Sequence, residues 1–222
     1  MCIRDSSYSA LSSVEALAYS EPDLFETDLD RANALLDEAG WTERDSDGTR
    51  MKDGARLVLR FPVSTNQSVP AEQSLFEQVQ ATAKDAGFDV QISLLDLSSW
   101  YGALFAHEYE IVSAPYTKVG PDVLRILYHS DSITPAPSGY FANLAQVNDP
   151  AIDALLTEAA STSDPVERAA QYEEAQQLIL GGHYLLPLYD QQNSFLLSTK
   201  VQGVRALPTV STPSFSDAWL AG

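Results

Sequence analysis

The stretch from Asn148 to Tyr189, NDPAIDALLTEAASTSDPVERAAQYEEAQQLILGGHYLLPLY, constrains this chain more than any other. Asn148 or Asp149 can cap a helix whose first turn holds Pro150, where a missing N–H costs nothing. Ile152, Leu155, Leu156 and Ala159 then fall on one face. The device repeats at once: Asp164 caps, Pro165 starts, Glu167 takes the third helical position, and Val166, Ala169, Tyr172, Ala175 and Ile179 recur at helical spacing. Gly181 and Gly182 are placed to supply the positive φ that ends a helix, and HYLLPLY is expected to leave as an extended, buried segment.

A second stretch repeats the pattern near the other end. Thr27 or Asp28 caps, Leu29, Ala32, Leu35, Leu36 and Ala39 form an apolar stripe, and Gly40 followed by Trp41 closes the helix. Together, DPAIDALLTEAASTSDPVERAAQYEEAQQLI with LLPLY and TDLDRANALLDEAGW resemble solute-binding protein family 5, the peptide- and nickel-type receptors of ABC importers. DGTRMKDGARLVLRF, AGFDVQISLLDLSSWYGAL and PDVLRILYHS have similar counterparts, so the resemblance runs over most of the chain from about Thr27. It implies an α/β fold, the large C-terminal lobe of a periplasmic-binding-protein-like (type II, cluster C) receptor, with a wound βαβαβ core followed by C-terminal helices. It also implies a weakly assigned segment over 1–26, the lobe over 27–195, and a tail over 196–222 that returns to a first domain.

The residues between these stretches fit that core. The pairs Asp47-Gly48 and Asp53-Gly54 bracket a short extended piece, the second leading into a strand over Arg56–Phe61. A helix spans Pro70–Ala86 with Leu75, Phe76, Val79 and Ala83 inward and ends at Gly87. Phe88, Val90, Ile92 and Leu94 alternate as a strand, Ser98 or Ser99 caps a helix with Trp100, Tyr101, Leu104 and Phe105, and Tyr109–Ala114 is the next strand. Strand, helix, strand, helix, strand is the order of a wound α/β layer, which binds ligands beyond the carboxyl ends of its strands. The candidate site is therefore the segment after Ala114.

Tyr116, Lys118 and Asp122 lie there. In peptide-binding members of the family the equivalent loop carries an aromatic residue and an Asp for the ligand's α-ammonium group. Tyr116 matches the aromatic, but Lys118, Val119 and Gly120 stand where the acid is sought, and Asp122 is the nearest carboxylate. Asp122 serves either that purpose or the first turn of the helix VLRILY. Lys118 either meets a ligand carboxylate or is solvated. Trp100 is either a stacking surface or core, and Tyr140, with Phe141 and Asn143, either lines a cleft edge or belongs to an exposed connector.

Composition excludes other classes. The chain has 222 residues, 45% of them hydrophobic, enough for a sizeable core in one or two domains. Thirteen Lys and Arg against 31 Asp and Glu give a formal charge of −18, which argues against nucleic acid. The single cysteine, Cys2, builds neither a disulfide nor a cysteine metal site, and no apolar run is long enough for a membrane span. Asp45, Asp47 and Gly48 open like a calcium loop, but its twelfth position, which needs Glu, is Gly54. His107, His129 and His183 form no metal motif, so neither metal nor cofactor is expected. Glu173 and Glu174 are consecutive on a helix and do not face each other, and no GxSxG, P-loop, GxGxxG or HExxH supports catalysis.

The resulting expectation is a monomeric, non-enzymatic binding module. It is the last lobe of a periplasmic or extracytoplasmic, membrane-associated receptor that carries a peptide or other small polar solute to ABC transporter permease subunits. MCIRDSSYSALSSVEALAYS contains no apolar export signal, so the sequence reads as a C-terminal fragment of such a receptor. Trp219 and Leu220 in the tail should then lack a packing partner. A sensor built on the same lobe is the alternative.

Overall fold

A computed structural model describes residues 7–116, 120–190, 195–206 and 213–221. The chain forms two compact bodies, one of Thr27–Ala114 and one of Met1–Glu26 with Pro115–Gly222.

The Thr27–Ala114 body opens with helix α1 (Leu29–Glu38), capped by Asp28, whose side chain accepts from the Arg31 amide. Gly40 (φ +88) ends it: the Gly40 amide bonds Asp37 O and the Trp41 amide reaches back to Leu36 O, the paired bonds of a Schellman ending. None of its residues is buried, and Leu29 and Leu35 are exposed. A three-stranded antiparallel sheet follows, of β1 (Glu43–Arg44), β2 (Arg50–Lys52) and β3 (Ala55–Arg56). Asp53 (φ 51) and Gly54 (φ 78) make its β2–β3 turn, with the two left-handed residues that a two-residue hairpin needs.

The strand expected over Arg56–Phe61 is thus divided. Arg56 ends the hairpin, Leu57 turns its amide to Arg50 O, and β4 (Val58–Ser64) starts anew. Helix α2 (Pro70–Ala86) has the expected bounds and stops at Gly87 in the left-handed region (φ +100). Strand β5 (Asp89–Leu95) then pairs parallel with β4, Val58 opposite Asp89 through Ser64 opposite Leu95. Phe61, Val63, Phe76 and Val90 are buried here, with the Phe61 and Phe76 rings 4.9 Å apart. Helix α3 (Leu97–Phe105) is capped by Asp96 rather than by a serine: its carboxylate accepts from the amides of Ser98 and Ser99. Those bonds, led by that from Ser99, hold the Asp96 carboxyl below the usual carboxylate range.

Tyr109–Ala114 does not form the expected third strand. The amides of Glu110 and Ile111 converge on one acceptor, Arg60 O, at 3.0 and 3.1 Å. The Arg60 amide takes the Glu110 side chain at 2.7 Å in place of a carbonyl. A side chain therefore occupies the position at which a ladder would have continued.

The second body is built on α4 (Val123–Tyr128), α5 (Pro150–Ser161) and α6 (Pro165–Gly181). Asp149 caps α5 and Asp164 caps α6, as their spacing implied. Ile152, Leu156, Ala159, Tyr172, Ala175 and Ile179 are fully buried, together with Leu124 and Leu11 in one cluster. Val166, by contrast, is 78% exposed. Helix α6 ends with Gly182 at φ −76, and the left-handed residue is His183 (φ 54), not a glycine. The segment after it is not buried as expected: Leu185 rests on the core while Tyr184 and Leu186 are exposed.

The N-terminal residues belong to this body through Gln176, which is fully buried. Its Oε1 accepts from the Tyr19 amide at 3.0 Å and its Nε2 donates to Leu17 O at 2.8 Å. The tail pairs in two short antiparallel pieces, β6 (Val201–Gln202) with β9 (Trp219–Leu220) and β7 (Arg205–Ala206) with β8 (Pro213–Ser214). Trp219 and Leu220 are 59% and 75% exposed. Residues 207–212 of the tail lie outside the described residues.

Candidate functional site

The segment that follows Ala114 enters the second body at Tyr116, which packs half-buried against its core. Lys118 lies outside the described residues. Gly120 (φ +103) places its amide on Glu15 Oε1 at 2.9 Å, so the N-terminal segment meets the start of the stretch that leads into α4.

Tyr140 comes from a second loop, between Ile133 and Ala142, which is fastened at its base. Asn143 is fully buried; its Nδ2 donates to His129 O and Val147 O, and its Oδ1 accepts from the Val147 amide. Within the loop the Gly139 amide bonds Ala136 O and the Ala136 amide bonds Tyr140 O, a tight turn that presents Tyr140 on its return. Phe141 is buried, so neither it nor Asn143 lines a cleft edge; both anchor the loop. Tyr140 is 45% exposed, and its hydroxyl donates to the Tyr116 hydroxyl at 3.3 Å. Two candidate residues 24 positions apart are thus brought together, and the Tyr116 hydroxyl, accepting from Tyr140, can donate its own proton onward.

Asp122 occupies the N-terminal position of α4, yet its side chain makes no capping bond. Its carboxylate instead takes Arg168 Nη2 at 3.3 and 3.4 Å and the hydroxyl of Tyr172. The Arg168 guanidinium also lies 5.5 Å from the centre of the Tyr172 ring. Burial, then the bond to Asp122, pushes the Tyr172 phenol above its ordinary value. Asp122 is therefore already engaged with a cation and a hydroxyl of its own chain. Arg168 and Tyr172, four apart on α6, escaped the sequence reading, in which Tyr172 counted only as an apolar face.

Trp100 belongs to the other body. It is 5% exposed, its indole N–H donates to Pro62 O at 3.2 Å, and the Tyr101 ring meets it edge-on at 5.0 Å. This is the core alternative. Among the described residues no three His, Cys, Asp or Glu gather as a metal site, and no helix is long and apolar enough to cross a membrane.

What this arrangement offers is a pair of hydrogen-bonded phenols, one on an anchored loop and one packed on the core, and a carboxylate paired from within. That is equipment for holding a ligand by aromatic surface and hydrogen bonds. Comparison with known proteins identifies the family. Residues 4–138 match the model of "Bacterial extracellular solute-binding proteins, family 5 Middle". The chain is 24% identical over 200 residues to the oligopeptide-binding protein AppA of Bacillus subtilis, covering 89% of this chain and 35% of that one. It is 33% identical over 155 residues to protein XP55 of Streptomyces lividans, covering 69% of this chain and 27% of that one. It thus spans about a third of the length of the curated relatives it matches. The structure of B. subtilis AppA in complex with a nonapeptide superposes over 98% of this chain and 43% of that one, with a TM-score of 0.84 at 21% identity. The fold is therefore the α/β fold of those binding proteins, and the chain belongs to the bacterial extracellular solute-binding proteins of family 5.

Proposed function

We propose that this chain is part of the extracytoplasmic solute-binding component of an ABC importer, and that its solute is a peptide or a similar polar molecule. Family membership over residues 4–138 carries the reading. The relative named as an oligopeptide-binding protein, whose fold this chain shares over nearly its whole length, favours peptide over other solutes. The Tyr116–Tyr140 pair supports it chemically, since a phenol that donates onward suits the carbonyl oxygens of a peptide backbone. In this reading the protein captures its solute without covalent change and hands it to membrane permease subunits, at a periplasmic or otherwise extracytoplasmic membrane surface.

The engagement of Asp122 by Arg168 and Tyr172 bears on the ligand's end group. A carboxylate so paired is a poor acceptor for an incoming α-ammonium, and this account assigns the ligand's amino terminus to other residues of the receptor. Thermal-shift measurements against di- to nonapeptides, N-acetylated peptides and nickel chelates test the assignment. The account expects stabilisation by peptides, with acetylation of the amino terminus having the same effect in Asp122→Asn as in wild type. Stabilisation by chelates alone would overturn it.

A further inference from the structure

His129 sits at the base of the loop that carries Tyr140, and its imidazole is a buried titratable group that solute capture leaves unused. It ends α4 and opens a single 3-10 turn, Ser130–Ser132, and its side chain is 9% exposed. Nδ1 accepts from the Asp131 amide at 3.1 Å, so that nitrogen carries a lone pair and the neutral ring keeps its proton on Nε2. Nε2 then donates to Thr157 Oγ1 on α5, also at 3.1 Å. Charged groups surround Nδ1 from each neighbouring element. Asp131 Oδ2, from the turn, is 3.6 Å from it, and Asp153 Oδ1, from α5, is 3.7 Å from it. Arg125 of α4 brings Nη2 within 3.6 Å of the Asp131 carboxylate. Asp153 also accepts from the amide and hydroxyl of Ser130. Two bonds join this turn to the loop. Asn143, the fully buried anchor, donates through Nδ2 to His129 O at 3.1 Å and through its amide to Ser132 O at 3.3 Å.

We propose that His129 is a positioning residue for Tyr140 and that a proton operates it. With the ring neutral, Nδ1 holds the Asp131 amide, the turn holds Asn143, and the loop presents Tyr140 to Tyr116. A proton taken up at Nδ1 replaces the lone pair with an N–H, and two donors then face each other at the Asp131 amide. The new N–H has the Asp153 and Asp131 carboxylates close by, so the ring exchanges its cap of the turn for a charge-assisted bond. The turn loses its cap, the two carbonyl acceptors of Asn143 lose their fixed place, and the Tyr140 loop gains freedom. Solute affinity falls on acidification as a result. The inference rests on the reading of Tyr116 and Tyr140 as solute contacts.

Nitrogen-15 spectra of the three histidine rings, with amide hydrogen exchange, test this on the 222-residue protein from about pH 7.5 to 5, the range in which an imidazole ordinarily changes charge. The expected result is a neutral Nε2–H tautomer for His129 at the upper end and a cation at the lower. Protection of the Asp131 and Asn143 amides should fall roughly fivefold between them, as for one lost hydrogen bond. Peptide titrated into the receptor expressed from the whole reading frame should lose affinity by a similar factor over the same range. His129→Asn keeps an oxygen that can cap the turn but takes up no proton, so its peptide affinity should be nearly level with pH. A ring that stays neutral to the lower end, or one that charges while both amides keep their protection, overturns the proposal; where His129→Asn does not fold, these wild-type spectra decide alone. An acid loss of affinity that His129→Asn retains in full also overturns it. A receptor that binds no peptide at either pH defeats the solute reading instead, and the spectra still decide the switch.

Discussion

The backbone amide of Arg60 donates to the side chain of Glu110 at 2.7 Å, and the Arg60 guanidinium returns to the same carboxylate at 2.6 Å. One side chain so closes the edge of β4. The guanidinium, first of all, holds the Glu110 carboxyl below its ordinary value. Because the folded pKa is the lower one, the stabilisation is complete above the unfolded value of about 4.3 and is lost as pH falls through the folded value. Both groups are partly solvated, at 46% and 37% exposure. Glu110→Gln should therefore cost only about 0.5–1 kcal/mol at neutral pH and flatten the acid limb of the stability–pH curve. Urea titrations between pH 3 and 7 would show this; an unchanged acid limb would refute it.

Arg50 is the interior tie of the Thr27–Ala114 body. At 4% exposure it donates to Ala86 O, Trp41 O, and the side chains of Asp37 and Asn33, so one cation serves the ends of both α1 and α2. Arg50→Ala strands these acceptors and should cost roughly 3 kcal/mol; Arg50→Lys, with one compact donor group in place of a planar fork, should recover less than half. Hydrogen exchange would register the loss in β2 and at the end of α2. Gly87→Ala should be equally disruptive, because an added Cβ would come within 2.5 Å of Arg50 Cγ at a φ of +100.

Gln176 holds residues 17–19 against α6 through two backbone contacts. Replacing it with alanine leaves a part-buried amide and carbonyl without this partner, at a cost of about 1 kcal/mol. Limited proteolysis of Gln176→Ala should cut between residues 7 and 26 earlier than in the wild type, with α5 and α6 still intact. Simultaneous loss of both helices would contradict the arrangement.

The sequence disclosed what is local. The caps Asp28, Asp149 and Asp164, and the full extent of Pro70–Ala86, were legible because capping and termination are settled within a few residues. What was missed depends on distant partners. Tyr109–Ala114 reads as a strand, but Glu110 meets Arg60 from 50 residues away. Val166 has the spacing of an inward residue, yet it stands at the first turn of α6, beyond the core. Asp122 was legible as a first-turn acid or a ligand carboxylate, but its bond to Arg168, 46 residues on, was not. The meeting of Tyr116 and Tyr140 likewise follows from the anchoring of Asn143, a buried amide with no periodic signal.

The pair itself makes a further prediction. Tyr116→Phe removes the hydroxyl that Tyr140 donates to while leaving the ring on the core. It should weaken peptide binding several-fold through the lost hydrogen bonds and leave the melting temperature nearly unchanged. Tyr140→Ala, at an exposed loop position, should weaken binding without unfolding. Equal losses of stability and affinity in both variants would point to a merely structural pair.

Calorimetric titration of peptides into the receptor, expressed from the full reading frame that contains these 222 residues, tests the central claim most directly. The account predicts saturable one-to-one binding of an extended peptide, weakened at least tenfold by the combined Tyr116→Phe and Tyr140→Ala changes. A folded receptor that binds no peptide of two to nine residues, or one whose peptide affinity is untouched by the double change, would contradict it.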